Sequence, residues 1–222
     1  MPSDRRVLKN EYTFGLNKIH LLFDRITWRP TFYACVNPFV IEQSGQQILN
    51  DIPGLKFLDF ASFKYLPYME NIVYLVSSRE KGFSTNPCEV IFQSSTVTYV
   101  AMQLAYYLGF DETFLVGTDH FYKAAEKGMP NQVVTQDEPD NDHFDPNYFE
   151  KGCQWHLPDL KGSEQGYRLA RETYEKAGKK IYDATVGGHL SVFEKVDFYD
   201  VFGKTENPSL YTSTPKGLIT NH

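Results

Sequence analysis

Short apolar runs alternate with amphipathic stretches along most of the chain. The runs EYTFGLN, TFYACVN, LKFLDF and NIVYLVSS have the length and composition of strands, whereas KIHLLFD and FVIEQSGQQILND predict helices between them. Strands that alternate with helices are typical of βαβ units, in which the strands lie parallel in one sheet. The pattern therefore predicts an α/β domain with a mostly parallel sheet flanked by helices.

The most regular helix is predicted directly after Ser95. Its apolar positions recur at spacings of three and four residues, as expected for one buried face; they are Val97, Val100, Ala101, Leu104, Ala105 and Leu108. Ser94, Ser95 or Thr96 can cap its first turn, and Gly109 can end it.

The run TFLVG follows this helix and has no polar alternation, which is typical of a central parallel strand covered on both faces. Gly117, Asp119 and His120 come at its carboxyl end. Open α/β sheets bind ligands in the crevice at that edge, so we predict that these residues contact a ligand. The alternative is that Asp119 only caps the turn that follows.

The second half of the chain continues the same pattern after a polar stretch. GSEQGYRLARETYEKAGKK predicts a helix with a serine cap and a stop at Gly178, and KIYDAT predicts a further strand. VGGHLSVFEKVDF places a Gly-Gly turn behind that strand, where bare amides either approach a ligand or make a tight turn. We predict one Rossmann-like domain over residues 1–203, with a polar loop excursion at 123–160, and an extended C-terminal tail over 204–222.

Length, charge and cysteine use exclude several classes of function. The 222 residues suffice for one α/β domain, and a net charge of −6 argues against nucleic acid as a partner. Cys35, Cys88 and Cys153 have no metal-ligand spacing and are odd in number, which favours a reducing cytoplasm. No apolar run approaches the length of a membrane span, so none is predicted. The many Tyr and Phe residues are compatible with a homo-oligomer, although core packing is their commoner use.

Two asparagines stand at the carboxyl ends of the first two predicted strands. Asn17 lies in FGLNK and Asn37 in CVNPF. An amide at this position can bind a phosphate or a sugar hydroxyl without adding charge, although asparagine also forms turns for purely structural reasons. Their equivalent positions in successive units favour a shared binding role.

The hydroxyl cluster Ser94, Ser95 and Thr96 opens a helix whose amides and dipole favour an anion, although plain capping explains the cluster equally well. The sequence contains neither the GxxxxGK[ST] nor the GxGxxG pattern, which removes the main support for an NTPase or a dehydrogenase.

His143 and His156 are candidate bases in the polar stretch. His143 lies among Asp140, Asp142 and Asp145, where a carboxylate can hold its tautomer, and His156 follows Trp155. Either histidine could instead be an ordinary surface residue. A metal site from these aspartates and His143 fits no defined ligand spacing, and the EF-hand glycine and terminal glutamate are missing, so no metal site is predicted.

Three segments together carry a family resemblance: SSTVTYVAMQLAYYLGFDETFLVGTDHFY, DNDHFDPNYFEKG and KIYDATVGGHLSVFEKVDF. They resemble the DUF115 or MptE-like family, named for 6-hydroxymethylpterin diphosphokinases. More distantly they are similar to bacterial sialyltransferases of glycosyltransferase family 42, which share a Rossmann-like core. The resemblance extends to Phe198 and is loose between Phe39 and Pro87.

The sialyltransferase branch implies roles for individual residues. Asn17 and Asn37 would line a CMP-sugar pocket, Ser95 would lie at the start of the long helix, and the GTDHFY segment would lie beside the nucleotide. The DNDHF segment places His143 where that family has its general base. Tyrosines that assist the leaving phosphate in that family match Tyr122 approximately.

Both branches usually begin with a strand and a glycine-rich GxGPSL turn that contacts the phosphates. This sequence starts at the segment that would follow that turn. The resemblance therefore implies either that this sequence is truncated or that part of the nucleotide cradle is lost, and without those backbone hydrogen bonds we expect weaker phosphate binding.

Three functions remain open at this point. The first is a CMP-sugar-dependent glycosyltransferase in surface polysaccharide synthesis that uses a small-molecule or glycan acceptor. The second is a diphosphokinase that uses ATP and Mg²⁺, and the third is a non-catalytic nucleotide-binding module; apart from these ligands no cofactor is firmly implied. Under the first, His143 and Tyr122 are catalytic, and the substrate-binding residues are Asn17, Asn37, Ser94, Ser95, Thr96, Gly117, Asp119, His120 and His156.

Overall fold

The structure is a computed structural model that describes residues 8, 10–122, 128–140 and 142–203, and the backbone of 217–220. Its strands and α-helices in chain order are β1 (Tyr12–Leu16), β2 (Phe32–Cys35), α1 (Pro38–Asp51), β3 (Leu55–Asp59), β4 (Ile72–Leu75), β5 (Ser77–Ser78), β6 (Ile91–Phe92), α2 (Val97–Tyr107), β7 (Glu112–Val116), β8 (Val133–Thr135), β9 (Gln154–His156), α3 (Leu160–Lys176), β10 (Lys180–Asp183), β11 (Glu194–Lys195), α4 (Phe198–Phe202) and β12 (Gly217–Thr220). Short 3₁₀ turns cover Ile19–Leu22 and Phe60–Lys64.

Eight of the described strands form one sheet in the order β11-β10-β7-β12-β1-β2-β3-β4. All of its neighbouring strands run parallel. The chain winds outward from β1 through β2 and β3 to β4, and on the other side from β7 through β10 to β11. The predicted α/β class with a parallel sheet is confirmed.

The centre of the sheet is occupied by a strand from the C-terminal segment. β12 pairs with β1 on one side and β7 on the other, with Thr220 opposite both Gly15 and Val116. Residues 204–222 are predicted from the sequence to form an extended tail; residues 217–220 are extended, but they lie inside the sheet. The strands β1 and β7 are therefore two strand spacings apart, roughly 10 Å.

Helices cover both faces of the sheet. One face packs against α2 and α3 through a core that includes Phe14, Ala34, Leu104 and Tyr174. The opposite face packs against α1, α4 and the turn at Ile19–Leu22 through a second core. Because successive side chains of a strand point to opposite faces, a strand covered on both faces packs at every position, and β2 (FYAC) is apolar throughout.

The ends of the helices follow local capping chemistry. Thr96 caps α2 by accepting the Thr98 amide at 3.3 Å, and Gly109, with φ +89°, follows its end as predicted. The predicted serine cap of α3 is wrong: the cap is Asp159, whose Oδ1 accepts the Gly162 amide at 2.8 Å. A carboxylate is as good a cap as a hydroxyl, and the helix begins earlier than its apolar pattern indicates.

The polar excursion at 123–160 has a small core of its own, and we call these residues the insertion. Its strands β8 and β9 form an antiparallel pair. Beside them Tyr148, Phe149, Trp155 and Leu157 are buried against one another. Residues 123–127 and 141 lie outside the described part of the chain. None of the described helices is long and apolar enough to cross a membrane.

Candidate functional site

A cavity of about 520 Å³ lies at the carboxyl-terminal edge of the main sheet. Its wall is built from the segments that follow β1, β2, β5 and β6, the first turn of α2, and the insertion. The predicted site residues in this wall are Asn17, Asn37, Ser94, Ser95, Thr96, Tyr122, His143 and His156. The segments that follow these strands and the insertion therefore contribute to one cavity.

His143 forms a close pair with Asp140 in the cavity wall. Its Nδ1 lies 2.8 Å from Asp140 Oδ2, while Asp140 Oδ1 accepts the amides of Asp142 at 2.9 Å and of His143 at 3.2 Å. Because an ionised carboxylate can only accept hydrogen bonds, the imidazole carries its proton on Nδ1. Nε2 is then the basic atom, which is the arrangement that a general base requires.

The pKa of Asp140 supports this protonation state. Burial alone would raise the pKa of its carboxyl group. The hydrogen bond and charge of His143, together with two backbone amides, outweigh burial and hold the pKa below its usual value. Asp140 is therefore ionised at neutral pH and can orient the imidazole.

Aromatic rings surround the imidazole of His143. Tyr148 stacks on it, with ring centroids 4.0 Å apart and planes 7° apart. Phe149 meets it edge-on at 5.2 Å, Trp155 at 6.5 Å, and the Tyr122 ring lies at 5.6 Å. The His143 side chain is only 10% exposed, so its orientation is set by packing as well as by Asp140.

The turn from Ser94 to Thr96 has an unusual backbone. Ser94 has φ 41° and Ser95 has φ 63°, so two successive non-glycine residues adopt the left-handed region. The Ser94 hydroxyl donates to the Gly162 carbonyl and the Ser95 hydroxyl to Asp159, both at 3.2 Å. These bonds join the start of α2 to the start of α3, and such strain is typical of functional turns.

The two predicted asparagines differ in what their side chains do. Asn37 Oδ1 accepts the Phe39 amide at 3.0 Å and caps α1, which is the structural role that the sequence left open. Asn17 has φ 45°, and its Oδ1 is buried with no hydrogen-bond partner in the described structure. Asn17 lies in the cavity wall, and its buried Oδ1 is one of the few polar side-chain atoms that no described residue satisfies.

Gly117, Asp119 and His120 lie outside this cavity wall. The Asp119 carbonyl accepts the His189 amide at 2.8 Å, and His120 Nε2 lies 3.3 Å from Glu164. Burial, and then the charge of Asp183, raise the pKa of Asp119. These residues do lie at the carboxyl end of β7, but β12 separates that end from β1. Their role in substrate binding stays a prediction.

The aspartates proposed as possible metal ligands do not converge. Asp140 binds His143, whereas Asp145 accepts the Asn147 amide and pairs with Arg25. Within the described part of the chain, no three His, Cys, Asp or Glu side chains are grouped as metal ligands would be.

His156 lies in the same cavity wall as two cations, Arg79 and Lys81, that are not among the predicted site residues. Burial lowers the pKa of His156, and the charge of Arg79 lowers it further. Its ring lies 4.9 Å from that of Phe39. Arg79 and Lys81 belong to the same cavity wall. Arg79 directly follows the predicted strand NIVYLVSS and Lys81 comes two residues later, so the strand-end rule that selected Asn17 also points to this segment.

Lys18 and Gln43 hold the insertion against the sheet. Lys18 is buried, and its Nζ donates to the Tyr148 carbonyl at 2.7 Å and to Gln43 at 3.3 Å. Gln43 in turn donates to the Gln154 carbonyl at 2.8 Å. Burial lowers the pKa of Lys18. No sequence signal distinguishes these anchors from surface residues.

Comparisons of the chain with protein-family models, with curated proteins and with solved structures found no match.

Proposed function

We propose that this chain is a nucleotide-sugar-dependent glycosyltransferase with a Rossmann-like fold, that a CMP-activated sugar is its donor, and that it acts in surface polysaccharide synthesis. The observation that carries the proposal is the Asp140–His143 pair in the wall of the cavity that also contains Asn17 and the Ser94–Thr96 turn. A base with a fixed tautomer beside polar strand ends suits a transfer to a hydroxyl group.

In this reaction His143 Nε2 takes the proton of an acceptor hydroxyl. The acceptor oxygen forms a bond to the anomeric carbon while the bond from that carbon to the phosphate oxygen breaks. Cytidine monophosphate leaves with the bonding electrons, and the configuration at the anomeric carbon is inverted. Tyr122, whose ring is 5.6 Å from that of His143, is the candidate for assisting the leaving phosphate.

The topology supports the Rossmann-like assignment. The parallel sheet winds outward in both directions from its centre, and helices cover both faces. The cavity lies at the carboxyl ends of the strands, which is where open α/β sheets bind nucleotides. Free thiols at Cys35, Cys88 and Cys153 fit a reducing compartment such as the cytoplasm.

The diphosphokinase alternative has less support. Transfer of pyrophosphate from ATP uses Mg²⁺ held by carboxylates and phosphates. Asp140 and Asp145 already bind His143 and Arg25, and their carboxylates are therefore poorly placed for a shared ion. An assay with ATP, Mg²⁺ and a hydroxymethylpterin separates the two functions, because AMP formation would favour the kinase.

The test is binding and turnover with cytidine nucleotides. With CMP at 100 times its Kd, linkage stabilises the fold by about 2.7 kcal/mol, which raises Tm by roughly 5 to 10 °C. CMP-sialic acid should be consumed by the full chain, and His143→Ala should slow this 10²- to 10⁴-fold while retaining CMP binding. His189→Gln, an exposed histidine outside the cavity wall, is the matched control. No response to any cytidine nucleotide would refute the proposal.

A further inference from the structure

The strands β5 and β6 form a short two-stranded ribbon, and the segments that follow them enter the cavity wall side by side. β5 and β6 run parallel with Ser78 opposite Phe92, and the Gln93 amide donates to the Ser78 carbonyl at 2.9 Å. The next residues of the two strands are Arg79 and Gln93, and Ser94 follows Gln93. Because parallel strands end at the same edge, both residues leave the ribbon together, and both line the cavity.

The first of these segments places two cations and one carboxylate, that of Glu80, in the cavity wall. Arg79 and Lys81 both line the cavity, and neither forms an ion pair with another described residue. The neighbouring carboxylate of Asp159 is already committed: it accepts hydrogen bonds from the Gly162 amide, the Ser95 hydroxyl and the Asn131 amide group. These bonds turn its oxygens toward the start of α3, Ser95 and the insertion, and it forms no ion pair with Arg79 or Lys81.

The second segment brings the start of a helix. The turn at Ser94 and Ser95 leads into α2, which is 11 residues long, and the amino-terminal end of a helix favours an anion. A guanidinium group and an ammonium group beside such an end are the usual partners of a phosphate. Apart from Glu80, the side chains and the helix start at the end of the ribbon favour an anion.

We propose that Arg79 and Lys81, together with the Ser94–Ser95 turn at the start of α2, form a subsite that binds the phosphate of the nucleotide donor. The identity of the nucleotide rests on the proposed function. The expectation that the subsite binds a negatively charged group does not. Two cations, with Glu80 between them, match the charge of a nucleoside monophosphate better than that of a triphosphate.

The experiment measures Kd by isothermal titration for four probes: inorganic phosphate, pyrophosphate, CMP and uncharged cytidine. Wild type is compared with Arg79→Gln and Lys81→Gln, which keep long polar side chains but remove the charge. Arg168→Gln is the control, because Arg168 is an exposed arginine outside the cavity wall that pairs with Glu164. All proteins are full length and are first checked for an unchanged circular dichroism spectrum.

We expect wild type to bind CMP at least tenfold more tightly than cytidine. Arg79→Gln should weaken CMP binding about 10- to 100-fold, Lys81→Gln by a smaller factor, and both should leave cytidine binding unchanged. Binding of pyrophosphate that is lost in Arg79→Gln, without any binding of CMP or cytidine, would support the subsite and refute the cytidine nucleotide.

Three outcomes would overturn the inference. They are CMP binding that survives both substitutions, an equal weakening in Arg168→Gln, and no binding of any of the four probes by wild type. The first of these would leave the proposed glycosyltransferase standing with its phosphate held elsewhere.

Discussion

Replacing Asp140 by asparagine tests the geometry of the candidate base most directly. Asparagine has the size of aspartate and keeps one carbonyl oxygen, so the amides of Asp142 and His143 can still find an acceptor. The atom facing His143 Nδ1 then becomes an amide nitrogen, which donates. The imidazole must accept at Nδ1 and move its proton to Nε2, so it loses the basic atom on which the proposed reaction depends.

The magnitude follows from the three hydrogen bonds that Asp140 accepts, at 2.8, 2.9 and 3.2 Å. Turning the asparagine oxygen toward His143 would sacrifice two amide bonds to save one, so the switched tautomer is favoured. The charge-assisted bond to the imidazole is lost or weakened, which costs about 2 kcal/mol of unfolding free energy. Loss of the base should slow the proposed transfer by 10²- to 10⁴-fold.

The pH dependence of this cost has a definite sign. The pKa of Asp140 in the folded protein is lowered, so its stabilising contribution is complete above its usual value near pH 3.9. That contribution is lost as the pH falls through the folded pKa, because the wild-type carboxyl group then becomes protonated. The difference in stability between wild type and Asp140→Asn should therefore be full at pH 7 and shrink in strong acid.

Two measurements check these expectations. ¹⁵N NMR of histidine-labelled protein near pH 8 distinguishes the Nδ1-protonated from the Nε2-protonated ring of His143, and urea unfolding gives the free energies. Asp137→Asn, an exposed aspartate of the insertion, is the control and should change neither. An unchanged His143 tautomer in Asp140→Asn, or a stability within about 0.5 kcal/mol of wild type, would refute the reasoning.

Three further predictions concern the scaffold. Burial lowers the pKa of His20 to about 4, so acidification from pH 6.5 to 4 should reduce the unfolding free energy of wild type by roughly 3 kcal/mol, whereas His20→Leu should not show this loss. Urea unfolding at both pH values measures the loss, with His189→Gln as the control that should behave like wild type. Equal losses in His20→Leu and His189→Gln would contradict the prediction. Ile219→Pro should lower the unfolding free energy by about 3 kcal/mol or more, because β12 has a hydrogen-bonded neighbour on both sides. Ile219→Val is the control, and an unchanged Tm in Ile219→Pro would disprove the central position of β12. Lys18→Met removes the bond to the Tyr148 carbonyl and should cost about 1 to 3 kcal/mol and speed proteolysis of the insertion; unchanged proteolysis would mean that Lys18 is no anchor.

The sequence predicted the elements well where their signals are local. The predicted helix after Ser95 appears as Val97–Tyr107, and the run TFLVG corresponds to β7 at Glu112–Val116. Helix capping and hydrophobic periodicity involve only a few neighbouring residues, so they can be recognised without knowing which other elements the segment packs against. The start of α3 was missed, since Asp159 lies outside the apolar pattern from which the helix was predicted.

The site was predicted in part because parallel strands end at a common edge. That rule predicted a common location for Asn17 and Asn37, and both lie in one cavity wall with Ser95, which was selected as the start of a helix. It does not bring Asp119 and His120 into that wall, because β12 lies between β7 and β1, and nothing in a local pattern shows this. Arg79 was overlooked although it also follows a strand.

The sequence by itself determined the class of fold, the order of its units and the chemical types available at the strand ends, because these depend on periodicity and composition over short stretches. Only the tertiary structure decided which of those ends share a cavity. The placement of β12 at the centre of the sheet, and the hydrogen bond from Lys18 to the Tyr148 carbonyl that holds the insertion against the sheet, join segments that are far apart in the chain. Such pairings are selected by the free energy of the whole packed core, which cannot be read from a short stretch of sequence.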